Sequence, residues 1–251
     1  MNKSKRKLLW LLGGILSLFI LFFVTVHFLV SYNQAFIREL AITQIKSRIQ
    51  GDVTLGSITP AFFKAFPDIA VNLHELTIRD SLWDEHQNDF LKAKNIYLYL
   101  SWTSLFRGKP EVRKVSIEDG HLHLFTDPCG YRNLNLVEQV DTQKGEGSTP
   151  VLTIRRTRLI MENLLLNAKH DIDIVYLHGG VTKKDSSVLL EIEINSLVHG
   201  IGFNLEKGSY LKEKTLQGNL LLTYFPHQKL ELTNVNLNIQ QQPYTLHGAF
   251  Y

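Results

Sequence analysis

The sequence predicts a mainly β protein, in which an N-terminal transmembrane helix and a short amphipathic helix precede a curled antiparallel meander sheet. Three observations predict this fold class. Residues 8–30 contain no Asp, Glu, Lys or Arg. Residues 31–50 carry apolar side chains at helical spacing, and after residue 50 apolar and β-branched side chains recur at a spacing of two instead.

The run from Leu8 to Val30 is long enough, at about 1.5 Å of rise per residue, to cross a hydrocarbon core about 30 Å thick. Four basic residues crowd the preceding tag, 1–7, whereas the first charge beyond the run is Arg38. This asymmetry predicts a cytoplasmic N-terminus. A cleaved signal peptide is the alternative, but its apolar core is usually only about 7 to 15 residues. We therefore expect an uncleaved anchor.

Composition excludes several classes of protein. Lys and Arg number 27 against 24 Asp and Glu, and part of the surplus lies in the tag, so the body carries no electrostatic signature of nucleic-acid binding. Cys129 is the only cysteine, which excludes an intramolecular disulfide. The fold is therefore expected to rely on apolar burial and strand pairing.

Residues 31–50 predict an amphipathic helix, with Asn33 as N-cap and Gly51 just past its end. The helix either continues the span or folds back onto the sheet, and packing on its own domain is the favoured interpretation. Its apolar face comprises Ile37, Leu40, Ala41, Ile45 and Ile49.

Alternating apolar residues predict strands beginning around residues 53–55 and 71–78. The connections are too short for helical crossovers, so we expect an antiparallel meander. Further strands are predicted at 96–100, 112–125, 151–166, 172–177, 188–197, 215–224, 229–239 and 244–251.

Three strands change the phase of their alternation partway along. Such a one-residue slip predicts a β-bulge or a sharp bend, and several bulges curl a sheet. A curled sheet with one apolar face is an open groove, a barrel or half of a sandwich, and we expect the groove with the sandwich as alternative. The changes occur between Leu73 and Leu76, between Ile117 and Leu122, and between Leu232 and Val235.

The polar stretch at 139–150 predicts a loop. It divides a first β region, 51–138, from a second, 151–251. The chain stops within an apparent strand that nothing protects from edge pairing, so we expect the second region to be truncated.

The order of these features resembles the N-terminal region of the AsmA-like family of bacterial envelope proteins. The resemblance covers roughly residues 1 to 137, and this chain is shorter than most relatives. The segments that carry it are the span, GDVTLGSITP at 51–60, Phe66-Pro67, the strands at 71–80 and 112–127, the stretch 90–108, and the Gly-x-x-Asn turn Gly130 to Asn133.

The resemblance implies a single-pass bacterial inner-membrane protein with a periplasmic body, distantly related to bridge-like lipid-transfer proteins with an apolar groove. We therefore expect a non-enzymatic role in envelope biogenesis, by binding phospholipid or transporting it toward the outer membrane. An anchored scaffold or regulator of outer-membrane protein assembly is the alternative. The expected partners are the membrane, phospholipid and envelope-assembly proteins, with no nucleic acid and no cofactor.

Alternation assigns the expected lipid contacts, and Arg156 and Arg158, which share a face, are the candidate headgroup ligands. His121-Leu-His123 offers two imidazoles but lacks an evident third metal ligand other than Asp127, so we predict no metal site. No catalytic residue is predicted. The acyl-chain contacts are Leu73, Ile78, Leu98, Leu122, Leu124, Ile192, Ile194 and Leu237.

Overall fold

A computed structural model of the chain describes residues 3–32, 34–46, 49–61, 64, 69–101, 111–138, 150–184, 187–226 and 228–251. The predicted loop at 139–150 therefore falls, apart from Pro150, outside the described residues, as does Phe66-Pro67. The helices are α1 (Lys3–Tyr32), α2 (Gln34–Lys46), α3 (Trp83–His86) and α4 (Asn135–Glu138), with a 3₁₀ turn at Leu205–Lys207.

Helix α1 contains the four basic residues of the tag and the run at 8–30. Within the described residues, no helix meets both the length and the apolarity that crossing a bilayer requires. The membrane span at 8–30 thus stays a prediction.

The mainly β fold class is confirmed, because eleven strands form one open, mixed sheet. Strands β1 and β2 lie end to end along β3, and the remaining strands follow in chain order to β11. The strands are β1 (Gly51–Thr54), β2 (Ser57–Pro60), β3 (Ile69–Asp80), β4 (Leu91–Leu100), β5 (Val112–Thr126), β6 (Val151–Asn163), β7 (Ala168–Lys184), β8 (Ser187–Gly202), β9 (Lys214–Phe225), β10 (Lys229–Ile239) and β11 (Gln242–Phe250).

The prediction of a wholly antiparallel meander is wrong at one junction. Strands β5 and β6 are parallel, with Ile117 beside Ile154 and Leu122 beside Leu159. The 24 residues between Thr126 and Val151 are long enough to return the chain to the starting end of β5. The polar loop therefore belongs to a crossover within one continuous sheet.

The start of this crossover is fixed by Asn133, whose side chain is fully buried. Its Oδ1 accepts from the backbone N–H of Phe125 at 2.9 Å, and its Nδ2 donates to the carbonyl of His123 at 2.7 Å. At the end of β5, the side-chain amide thus makes the backbone hydrogen bonds that a neighbouring strand would otherwise make. The Gly-x-x-Asn turn noted in the sequence therefore has a structural role here.

The predicted change of phase occurs in all three strands, but only in β10 does a shift of pairing register, the mark of a β-bulge, accompany it; β3 and β5 keep their register on both sides of the change. Glu75 and Asp119 have φ of 53° and 55°, at the two places where β3 and β5 change phase. Strand β10 shifts register against both neighbours between Leu232 and Val235. Each irregularity keeps the apolar side chains on one face although their parity changes.

The main core lies at the β1 to β5 end of the sheet, under α2. The predicted packing of this helix on its own domain is confirmed for Ala41 and Ile45, which lie against the core with Ile42. Ile49 also lies against the core, but beyond the end of α2 at Lys46. Leu136 of α4 closes the same cluster and is almost fully buried.

Candidate functional site

The most extended feature of the sheet is a row of cross-strand neighbours that runs through ten strands from β2 to β11. Each member lies directly beside the next, so all ten share one face. None is charged or polar apart from the phenol of the last. The row comprises Ile58, Leu73, Ile96, Ile117, Ile154, Leu177, Ile194, Gly218, Leu237 and Tyr244.

A second apolar row lies two residues away on every strand and has the same extent. Together the two rows define what we call the apolar face. The second row comprises Pro60, Val71, Leu98, Val115, Leu152, Gly179, Ile192, Leu220, Val235 and Leu246.

The opposite face carries a polar ladder that is as long as the apolar rows. The residues between the two apolar rows form their own cross-strand ladder, and every member carries a hydrogen-bonding group. The sheet is therefore amphipathic from one edge to the other. This ladder comprises Thr59, Asn72, Tyr97, Ser116, Thr153, His178, Glu193, Asn219, Asn236 and Thr245.

The eight predicted acyl-chain contacts all lie on the side of the sheet that carries the two apolar rows, but in two different environments. Leu73 and Ile78 are buried in the core beneath α2. Leu98, Leu122 and Leu124 are partly buried against the same core. Contact between these five side chains and a lipid would require α2 or the core to move.

The other three predicted contacts, Ile192, Ile194 and Leu237, are only partly buried. They lie in the β6 to β11 part of the face, where Leu152, Tyr244 and Leu246 are exposed. Ile154 and Val235 are buried, but the other described members of the two rows in this half are partly or fully exposed, and this half is the candidate binding surface.

Arg156 and Arg158 lie on the polar face, and both already form ion pairs with carboxylates of the protein. Arg156 donates to Asp119 at 2.6 Å and to buried Glu118 at 3.2 Å. Arg158 holds Asp171 through two bonds of 2.9 and 2.7 Å. A lipid whose acyl chains lie on the apolar face cannot reach these guanidinium groups through the sheet, so a shared headgroup role does not fit.

A line of irregular residues crosses the polar face next to these arginines. Glu75, Lys94, Asp119 and Arg156 are adjacent across β3 to β6, as the flanking register shows, and none keeps a regular ladder pairing. Three of them have positive φ, and all four are exposed. Their charges alternate in sign, so each carboxylate lies beside a cation.

The histidine pair lies on the polar face, as the alternation predicted, but His123 is buried rather than exposed. Burial lowers the pKa of His123, despite Glu162 at 3.3 Å. His121 is 6.0 Å away between ring centroids. Within the described residues, no group of three or more His, Cys, Asp or Glu side chains is arranged to hold a metal ion.

A buried polar cluster lies where β3 ends. The side chain of Asp80 is almost inaccessible, and its Oδ2 accepts from the hydroxyl of Tyr131 at 2.7 Å and lies 3.0 Å from Nε2 of His86. Nδ1 of His86 accepts from the backbone N–H of Asn88 at 3.1 Å, so the neutral Nε2–H tautomer satisfies both contacts. The cluster ties α3 and the Gly130 turn to β3.

Sequence reasoning missed one exposed group of apolar side chains. The strand predicted to Leu166 ends at Asn163, and Leu164, Leu165 and Leu166 form the tip of the following turn. Exposed Phe203 and Tyr210 lie beyond the end of β8. Three consecutive leucines break the alternation, and this was the available signal.

In comparisons with known proteins, no family model, no curated protein and no solved structure matches this chain.

Proposed function

We propose that the chain is a single-pass, membrane-anchored protein that binds phospholipid acyl chains on the β6 to β11 half of its apolar face. The observation that carries the proposal is the continuity of the two apolar rows through ten strands. A sheet that only needed a core would have its apolar face covered along its whole length, whereas among the described residues most row members in the β6 to β11 half are partly or fully exposed.

The anchor in this proposal is the run at 8–30. His27 is the only ionisable side chain in this run. Many of the described apolar side chains of α1 are exposed, including Trp10, Leu11, Leu18 and Leu21. A helix that presents large apolar side chains on all sides needs an apolar solvent. With the basic tag in the cytoplasm, residues 31–251 lie on the far side of a bacterial inner membrane, in the periplasm.

The position of the anchor supports lipid binding rather than a purely structural sheet. Helix α1 contacts β2, where both apolar rows begin. Nine strand spacings of about 4.8 Å carry the rows roughly 43 Å from that point. The arrangement suits a surface that receives acyl chains near the anchoring bilayer and holds them along the sheet, in the service of envelope biogenesis.

Lipid retained during purification tests the proposal. The full chain is extracted in a mild detergent, and bound phospholipid is quantified after extensive washing. Ile194→Glu places a carboxylate in the first apolar row and is expected to abolish retention. Asn195→Glu, one residue away on the polar face, is the matched control and should retain lipid. Equal retention by both variants would contradict the proposal.

A scaffold for envelope-assembly proteins is the second candidate, and β11 favours it. This edge strand is exposed over its whole length, carries no Lys, Arg, Asp or Glu, and presents Tyr244, Leu246 and Phe250. Such an edge is a template for strand addition by another chain. If Thr245→Pro no longer binds an envelope-assembly protein but still retains lipid, the result would favour the scaffold.

A further inference from the structure

The apolar surface of the sheet becomes wider in β7 to β11. A further row of cross-strand neighbours lies next to the second apolar row on the same face, and none of its members is polar. The row comprises Val181, Leu190, Leu222, Leu232 and Gly248.

The next row is the last one on this face, and it ends with a cation. We call it the rim row, because strands β7 to β10 each begin or end within one residue of it. Tyr224 and Phe250 in this row are 42% and 64% exposed, and Lys183 is also exposed. The rim row comprises Lys183, Val188, Tyr224, Leu230 and Phe250.

The charge of Lys183 is not balanced by a carboxylate on its own face. In strands β6 to β11, the pairing registers put every described Asp and Glu on the polar face. Lys183 makes no hydrogen bond or ion pair with another described residue. Lys214, which shares the face, already donates to Oε1 of Gln240 at 2.7 Å. Lys183 is therefore the lysine on this face that a ligand can reach without breaking a contact.

The distance from the rim row to the first apolar row suits an acyl chain. Six residues of β8 separate Val188 from Ile194, which is about 20 Å at about 3.4 Å per residue. One leaflet contributes about half of a hydrocarbon core about 30 Å thick. An acyl chain that lies along the strands from the rim row thus fits within the four apolar rows.

We propose that Lys183 binds the headgroup phosphate of a phospholipid whose acyl chains lie along β7 to β11 on the apolar face. An ammonium group forms charge-assisted hydrogen bonds with phosphate oxygens. Exposed Tyr224 and Phe250 in the same row are of the type found where headgroups meet acyl chains. The inference rests on the proposed function and adds the orientation of the lipid, with its headgroup at the β7–β8 turn and its chain ends toward Ile194.

Headgroup selection tests this assignment. The full chain is incubated in detergent micelles that contain equal amounts of phosphatidylglycerol and phosphatidylcholine, and the retained lipids are quantified by mass spectrometry after washing. The choline ammonium competes with Lys183 for the phosphate, whereas glycerol does not. Lys183→Gln is therefore expected to lower the ratio of retained phosphatidylglycerol to phosphatidylcholine about fivefold, the contribution of one lysine beside anionic headgroups.

Lys184→Gln is the matched control. It removes the same charge one residue along β7, at a position that alternation puts on the opposite face, and should keep the ratio of the native chain. Lys184 is also closer in sequence to Asp185 of the same turn, and the basic tag is present in every variant, so an effect of overall charge would appear in both. Lys183→Arg should keep the native ratio. Equal ratios in Lys183→Gln and Lys184→Gln would overturn the assignment.

Failure of this assignment is distinguishable from failure of the proposed function. If the native chain retains more lipid than Ile194→Glu but Lys183→Gln does not change the ratio, the proposed function stands and the headgroup ligand is wrong. If the native chain retains no more lipid than Ile194→Glu, the proposed function falls and the headgroup ligand falls with it.

Discussion

Asp119 of β5 and Arg156 of β6 lie beside each other at the parallel junction of the sheet, both with positive φ, and their side chains form an ion pair at 2.6 Å. Backbone irregularity in the two strands thus coincides with charge pairing. The same line reaches Glu75 and Lys94 in the preceding strands. It separates Leu73 from Ile78 and Ile117 from Leu122, and so keeps apolar side chains of changing parity on one face.

Backbone conformation, rather than charge, is expected to dominate at this line. Asp119→Asn keeps a residue that tolerates positive φ and loses an exposed ion pair, which costs about 0–1 kcal/mol. Asp119→Val places a β-branched residue at φ 55° and should cost about 1–3 kcal/mol more. Urea unfolding of the two variants measures the difference. Equal stabilities would contradict this assignment.

The hydroxyl of Tyr131 should lose its proton at a higher pH than that of a free tyrosine. Burial, with the hydrogen bond to Asp80, raises its pKa to about 12. Because the folded pKa exceeds the unfolded value of about 10, this group's contribution to stability is complete below pH 10 and is lost as pH rises toward 12. Ultraviolet titration of the native chain against Tyr131→Phe isolates the group.

The same hydroxyl stabilises the fold through buried Asp80. Tyr131→Phe removes a hydrogen bond to a buried carboxylate and should lower the free energy of unfolding by about 1.5–3 kcal/mol. Tyr210→Phe, at an exposed tyrosine, is the matched control and should be neutral. Equal effects of the two variants would refute a structural role for the buried cluster.

His199 is expected to remain protonated to higher pH than a free histidine. Its imidazole lies 2.8 Å from Asp173 and 3.2 Å from Glu213, and these carboxylates raise its pKa. The resulting stabilisation is present below pH 6.5 and is lost as pH rises through the folded pKa. NMR titration should show a lower His199 pKa in Asp173→Asn, while Glu191→Gln leaves it unchanged.

Gly218 is the residue in the first apolar row that cannot carry a side chain. A Cβ there would overlap the backbone oxygen of Asn236 and lie 2.9 Å from Cα of Leu237. Gly218→Ala should therefore force β9 and β10 apart and cost about 1–3 kcal/mol. Gly180→Ala has open space and should be tolerated. Thermal unfolding compares the two, and a neutral Gly218→Ala would show that the strands can adjust.

Local pattern was sufficient to predict where most strands lie, which face is apolar and where β3, β5 and β10 change the phase of their alternation. The change of parity between Leu73 and Leu76 identified the irregular backbone at Glu75 without any knowledge of neighbouring strands. Alternation likewise assigned Ile192 and Ile194 to one face and Glu191 and Glu193 to the other, where both carboxylates are exposed.

Features that depend on pairing between residues far apart in the sequence could not be predicted from the local pattern. The parallel junction requires the position of β6 beside β5, and nothing in the polar stretch at 139–150 encodes that position. The alignment of Glu75, Lys94, Asp119 and Arg156 depends on the registers of three strand pairs. Coverage by α2 is equally non-local, so five predicted lipid contacts proved to lie in or against a core.

The central claim, an acyl-chain surface on the accessible half of the apolar face, is tested most directly by photo-crosslinking along one strand. A photoreactive amino acid is placed in turn at Ile192, Glu193, Ile194 and Asn195 of β8, in cells with labelled phospholipid. Crosslinks to phospholipid from Ile192 and Ile194, but not from Glu193 and Asn195, are the predicted result. Crosslinking to phospholipid that does not alternate along β8, or no crosslinking at any of the four positions, would contradict the account.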